Sequence, residues 1–313
     1  MVAIADNQSA LQHVSLRRKP SAWRQALLLA RRKALGTVGL VIILFFSCVA
    51  IFGPGIEIAG QTVIPGFATQ DPNATHLTQK LKPPSAEHWF GTDELGRDVF
   101  TRAVYGTRPS IMVGFMASIL GVGVGTLIGL VSGYAGRRTD MVIQRVIDGM
   151  MAFPPLVLLL TLASVFQPSM RNIVIILILF VAPSSSRVVR GAVLSIKQSP
   201  FVEAAQTVGV SGPRIALRHV LPNVFAPVLV LMSIVVGSAI LVEASASFLG
   251  FGIAPPNSSL GSMLSANLGS AMSDQPWMAL APGIAITLIV LSFNLVGDAL
   301  RDVLDPRLRG TGR

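Results

Sequence analysis

The side chains able to do chemistry are few and far apart. The four histidines, His13, His76, His88 and His219, form no His-Glu-x-x-His pair, the spacing that sets two imidazoles on one helix face for zinc. No glycine is followed by lysine, so no phosphate-cradling loop is present and the chain hydrolyses ATP by no recognised motif. No serine or cysteine stands in a readable nucleophile constellation. Cys48 is the one cysteine; it cannot close an internal disulfide and reads as a small buried hydrophobe. Polar residues gather in three kinds of place. One is a mixed-charge cluster, Asp93, Glu94, Arg97, Asp98 and Arg102. The second is a loop from Ser199 to Asn223. The third is isolated acids in apolar surroundings, Asp148, Glu243 and Asp298. Energy for any active process must come from another molecule.

The elements that position these groups are membrane spans. Of 313 residues, 51% are hydrophobic and 13% charged, with a mean hydropathy of +0.65. Soluble domains carry roughly 25% charged residues, so a soluble class is excluded. A bilayer core needs about 20 apolar residues per helix. Six stretches qualify: 36–56, 108–133, 147–167, 173–192, 224–248 and 279–299. The first is too long for a signal peptide and is followed by no small-residue cleavage site, so it reads as a retained anchor. The net charge of +10 is a topology signal rather than a nucleic-acid signal. With the N-terminus inside, nineteen of the Lys and Arg residues fall on the inner side and six outside, which places both termini in the cytoplasm. The expected fold is an all-α integral membrane protein. Its parts are a cytoplasmic tail 1–35, the first transmembrane helix 36–56 and an extracytoplasmic segment 57–107. A core domain 108–300 follows, with a cytoplasmic loop 193–222, and a tail 301–313 closes the chain. Trp23 and Leu27 to Leu29, interleaved with Arg24, Arg31, Arg32 and Lys33, read either as a helix lying on the inner surface or as an ordinary basic flank.

The loop has readable local physics. Ser199 can cap a helix and Pro200 suits its first turn. Glu203 sits early, where a negative charge complements the helix dipole, and Gly209 is placed to end the helix in a left-handed conformation. Ser211, Gly212 and Pro213 start a second helix, and Pro222 marks re-entry to the membrane. The product is a helix-turn-helix exposed on the inner face.

Glu203-Ala204-Ala205, then Gly209, then His219-Val220-Leu221-Pro222 closely resembles the EAA loop of bacterial ABC importer permeases. The general pattern favours Ile where His219 stands, which resembles the peptide-type branch. The resemblance extends to Phe90–Phe100, to Ser247-Phe248-Leu249-Gly250-Phe251-Gly252 and to the run Phe293–Arg307. It covers residues from about 30 to 309, leaves 1–25 uncovered, and is to the second permease of a heterodimeric pair. It implies the type I importer fold in the bacterial cytoplasmic (inner) membrane, and a role as a permease subunit for di- or oligopeptides. The implied partners are a homologous second permease, two ATP-binding subunits, an extracytoplasmic substrate-binding protein and membrane lipid, with no nucleic acid. No cofactor is bound by this chain; ATP and Mg belong to the partner ATPases. Glu203, Ala204, Ala205, Gly209, Leu221 and Pro222 are the implied ATPase-coupling residues. The same machinery carrying nickel, glutathione or an opine-like solute is the nearest alternative. A secondary transporter is a further one, but no internal repeat is visible.

Other residues carry two readings each. Asp93, Glu94, Arg97 and Asp98 are either an outer docking segment or a helix start. In the second case Thr92 caps, Asp93 and Glu94 lie in the first turn, and Asp98 pairs with Arg102 at i,i+4. Gly121, Gly125, Gly129 and Gly133 form a small-residue stripe, facing either a partner permease or a helix of this chain. Ser233, Ser238, Glu243 and Asn294 are candidates for the translocation path; Glu243 equally suits a cap for the segment after it, and the serines a bond to their own backbone. Asp148 and Asp298 read as interfacial, paired with Arg145 and Arg301. Pro154, Pro155, Pro183 and Pro227 are expected to bend spans.

Overall fold

In the computed structural model, the described residues are 33–58, 61–64, 66–68, 70–266 and 275–304. The expected surface helix near Trp23 and the tail beyond 304 lie outside them. The chain runs through α1 (Ala34–Phe52), a short antiparallel hairpin of β1 (Ile56–Ile58) and β2 (Gln61–Ile64), and then α2 (Val99–Ala135). Next come α3 (Arg137–Met151), α4 (Pro155–Val165) and α5 (Met170–Lys197). A helix-turn-helix of α6 (Pro200–Thr207) and α7 (Gly212–Ile215) leads through a π-helical stretch, Ala216–Val220, into α8 (Leu221–Phe248). The short α9 (Leu260–Ala266) precedes α10 (Trp277–Leu304).

The fold is the all-helical one expected, with the small hairpin added. Among the described residues, five helices are long and apolar enough to cross a membrane: α1, α2, α5, the continuous Gly212–Phe248 stretch, and α10. The expected span 147–167 is a bent helix pair rather than one continuous helix. Its residues belong to two helices, α3 and α4, which meet at 79°. Pro154 holds an extended backbone, with ψ 130°, and Pro155 brings no N–H to an upstream carbonyl. The second span begins at Val99, not 108.

Helix α2 is the axis of the bundle. It packs along α5 and across α8, while α10 lies against both α8 and α1. The glycine stripe explains the first contact. A Cβ at Gly121 would lie 2.6 Å from Val181, at Gly125 2.7 Å from the Ala182 carbonyl, at Gly129 2.5 Å from that of Ser186, and at Gly133 2.9 Å from Val193. All these neighbours are on α5, so the stripe seats a helix of this chain and does not face a partner permease. The close approach holds the end of the bundle next to α6, where Val122, Leu130, Val189, Val193 and Val224 share one core. Much of the remaining apolar surface points outward, as a bilayer rather than water requires. Cys48 lies on that outward surface of α1 rather than in the interior.

Candidate functional site

Helix α6 is a short rod held from one side. Ser199 occupies the N-cap with extended backbone, though its hydroxyl makes no capping bond, and Pro200 fills the first turn. At the other end, the Gly209 N–H donates to the Gln206 carbonyl (2.9 Å) and the Val210 N–H to that of Ala205 (3.1 Å). This is a Schellman termination, and it needs the φ of +81° that Gly209 adopts. Val202 is fully buried and packs with Val193, Ile215, Ala216 and Val220, while Ala205 lies half-buried against the same core. Beside it, the Lys197 ammonium donates to the Tyr134 carbonyl at 2.7 Å and stands 5.3 Å over that ring. Tyr134 in turn lies against Gly212. The helix-turn-helix is thereby fixed to the ends of α2 and α5.

The opposite side is open. Glu203, Ala204 and Gly209 are exposed, with Pro222 further along; Leu221 is half-buried. Three large apolar side chains join them: Phe201 (45% exposed), Val208 (83%) and Leu217 (58%). The sequence reading passed over these three, although Phe201 and Val208 are apolar residues flanking a polar helix face. Arg214 and Arg218 are exposed on the adjoining turn. Exposed apolar side chains beside charged ones are the composition found in protein-docking surfaces.

The charged outer cluster turns inward. Helix α2 begins at Val99 with Asp98, not Thr92, as its cap; Asp98 accepts from the Thr101 N–H at 2.7 Å. Asp98 also meets His88 Nδ1 at 3.0 Å and makes no pair with Arg102. Asp93 accepts from the N–H groups of Leu95 and Arg97 (both 2.9 Å) and from Arg97 Nε at 2.7 Å, with Arg102 Nε 3.8 Å away. Residues 92–98 are therefore a turn wrapped around the Asp93 carboxylate. Asp93 and Asp98 are buried and offer nothing to an outside partner; Glu94 and Arg97 are half-buried.

Of the candidate path residues, Glu243 is fully enclosed. Ser110 Oγ donates to its carboxyl at 2.9 Å and Ser247 Oγ at 2.7 Å, and the Ser259 hydroxyl also bonds to it. It joins α2, α8 and the residues leading into α9, and lines no open path in this chain. Ser233 and Ser238 donate to the carbonyls of Val230 and Val235, and Asn294 to that of Val290. Asp148 pairs with Arg187, not Arg145. Asp140, which no sequence argument singled out, accepts from Arg190 Nε at 2.6 Å and ties α3 to α5.

Comparison with known proteins bears on the family and the fold. A family profile described as "Binding-protein-dependent transport system inner membrane component" matches residues 125–310. The dipeptide transport system permease protein DppC of Alkalihalophilus pseudofirmus is 41% identical over 289 residues, covering 92% of this chain and 91% of that protein. The oligopeptide transport system permease protein OppC of Bacillus subtilis is 38% identical over 289 residues, with the same coverage of both. A glutathione transport system permease, GsiD of Pectobacterium atrosepticum, is 40% identical over 226 residues, covering 72% of this chain and 75% of that one. An inward-facing structure of the MetNI methionine ABC transporter matches with a TM-score of 0.56 at 16% identity, covering 66% of this chain and 97% of that chain, and supports the fold.

Proposed function

The chain belongs to the family of binding-protein-dependent transport system inner membrane components, and from that membership we propose that it is one permease of a heterodimeric pair importing di- or oligopeptides. Membership makes it a multi-pass protein of the bacterial inner membrane that works with an extracytoplasmic binding protein and an ATP-hydrolysing subunit. Peptide delivered from outside enters a path between this permease and a homologous second one. ATP and Mg are held by two partner ATPases, whose closure opens the path outward and whose hydrolysis resets it inward.

The observation that carries this reading is the half-held helix α6. Its buried side, Val202 and Ala205, is locked to the bundle, while Phe201, Val208 and Glu203 project from it. A rod fixed on one side and apolar on the other transmits a push from a docked protein to α2 and α5. The basic residues clustered at this end support a cytoplasmic position for it and for both termini, the side on which the ATPases work. Relatives named for dipeptides and oligopeptides support peptide cargo, and one named for glutathione supports a second reading with the same machinery.

The test is to purify the tagged chain from its native membrane in mild detergent and identify its companions by mass spectrometry. Recovery of two ATPase subunits and a second permease supports the proposal. A chain that purifies alone and drives proton-dependent uptake refutes it.

A further inference from the structure

Arg108 is out of keeping with its surroundings. It lies within α2, exposed, at the outer end of a stripe that continues through Met112, Phe115 and Met116. The two arginines nearest to it in sequence are both engaged: Arg97 with Asp93, and Arg102 with Asp93 and the Pro72 carbonyl. Arg108 has no hydrogen-bond or ion-pair partner among the described residues. A cation within a span normally faces a partner or a solute pathway, because lipid solvates it poorly.

Two cavities meet at this side chain. One, of about 430 Å³, lies between α2, the start of α5 and the segment before α9. The other, of about 670 Å³, lies between α1 and α2. Tyr105, Arg108 and Met112 line both. The first cavity is electropositive for a second reason: Ser169 and Met170, the cap and first residue of the long helix α5, open on it, and a helix start carries partial positive charge. Asn257 adds an exposed side-chain amide, whose N–H groups can donate to an anion.

We propose that Arg108, with the first turn of α5, receives a carboxylate of the transported solute at the outer mouth of the path. The inference rests on the peptide reading above and narrows it. Peptides of any sequence share their terminal charges and their backbone amides, so a permease that accepts many of them can hold a terminal charge and tolerate the side chains. Arg108 supplies a planar fork that matches a carboxylate. Met112, which lines both cavities, and Phe115, which lines the second, supply an apolar wall, and the flexible Met112 thioether adapts to different side chains. Lipid phosphate offers similar chemistry, and the experiment separates the two sources.

The co-purified complex is reconstituted in vesicles with its binding protein, and ATP-driven uptake of radiolabelled dialanine and of its C-terminal amide is measured. Calorimetry on the isolated binding protein gives that protein's own acid-over-amide preference, which is divided out. Arg108→Gln is expected to lower uptake of the acid about tenfold, the order expected for one charge-assisted hydrogen bond, while changing the amide less than twofold. Arg108→Lys, which keeps the charge but loses the fork, is expected between the two. Equal co-purification of the partner subunits with each variant controls for folding. Equal loss on acid and amide overturns the proposal in favour of a contact with another subunit, and no loss overturns it outright. An Arg108→Gln effect that disappears when phosphatidylglycerol is replaced by neutral lipid assigns the arginine to headgroups instead. A wild-type complex that imports neither dialanine form counts against peptide cargo. The same variants are then read on glutathione, whose two carboxylates keep the charge test intact.

Discussion

The seating of α2 on α5 can be measured by moving one methyl group. In Gly129→Ala the new Cβ falls 2.5 Å from the Ser186 carbonyl oxygen and 2.9 Å from Val189 Cβ. Both are part of, or directly attached to, the α5 backbone, so no side-chain rotation relieves them. Ordinary contact requires the helices to separate by about 1 Å at this point, and a gap of ~0.5–1 Å already forfeits a quarter to a half of each dispersion contact. Overpacking of this kind costs roughly 1–3 kcal/mol. Alanine returns roughly 0.5–1 kcal/mol through better helix propensity, leaving a net loss of about 1–2 kcal/mol. Gly123→Ala is the matched control: it lies on the same helix, and an added Cβ there has nothing within 4 Å. Thermal unfolding of the purified complex in detergent, followed by fluorescence, is expected to show Gly129→Ala several degrees below wild type and Gly123→Ala at or slightly above it. Two variants that melt together refute the close-packing argument, because propensity and composition change identically in both.

Three further outcomes follow from the geometry. Gly209→Val puts a β-branched residue at φ +81° and costs roughly 1–2 kcal/mol of backbone strain without any clash, since nothing lies within 4 Å of the position. The expected result is ATP hydrolysis uncoupled from uptake, with Gly209→Asn milder; coupling unchanged in the valine variant defeats the account of α6. Val208→Asp, at the most exposed apolar position of the loop, is expected to reduce capture of the ATPase subunits in pull-downs while leaving the permease's own melting temperature within a degree or so. Glu243→Ala leaves the hydroxyls of Ser110, Ser247 and Ser259 facing a void and is expected to cost roughly 2–4 kcal/mol, read as lost expression and a lower melting temperature. Glu243→Gln, which keeps the volume and one of the two acceptor oxygens while one serine hydroxyl turns to accept from the new amide, is expected to lose less than the alanine variant.

The spans were legible because a bilayer demands long apolar runs, and five of the six emerged as single helices. The sixth is broken at the Pro154-Pro155 pair, where a bend was expected; its 79° angle was not legible, because hydropathy carries no backbone geometry. The start of α2 was misplaced by several residues because Thr92 and Asp98 are both good capping residues. Only the fold around Asp93 decides that the first of them belongs to a turn. The glycine stripe announced close approach without naming its neighbour, since small residues serve a partner protein and a helix of the same chain equally well. Glu203, Ala204, Ala205 and Gly209 were readable from spacing. Phe201 and Val208 were not, because whether an apolar residue beside a membrane is packed or exposed depends on what lies behind it, here Val202 filling the core in their place.

The enclosure of Glu243 also bears on the order in which the protein is made. Synthesis runs from the N-terminus, so Ser110 is already within the membrane, 133 positions earlier, when Glu243 leaves the ribosome. Ser247 follows four positions later on the same helix, and Ser259 only after α8 is complete. The carboxyl thus finds its first external partner on a helix inserted long before, and its last on a segment not yet translated. The order of synthesis therefore presents the three hydroxyls to the acid in sequence: Ser110 from a helix already made, Ser247 from its own helix, and Ser259 from the turn before α9.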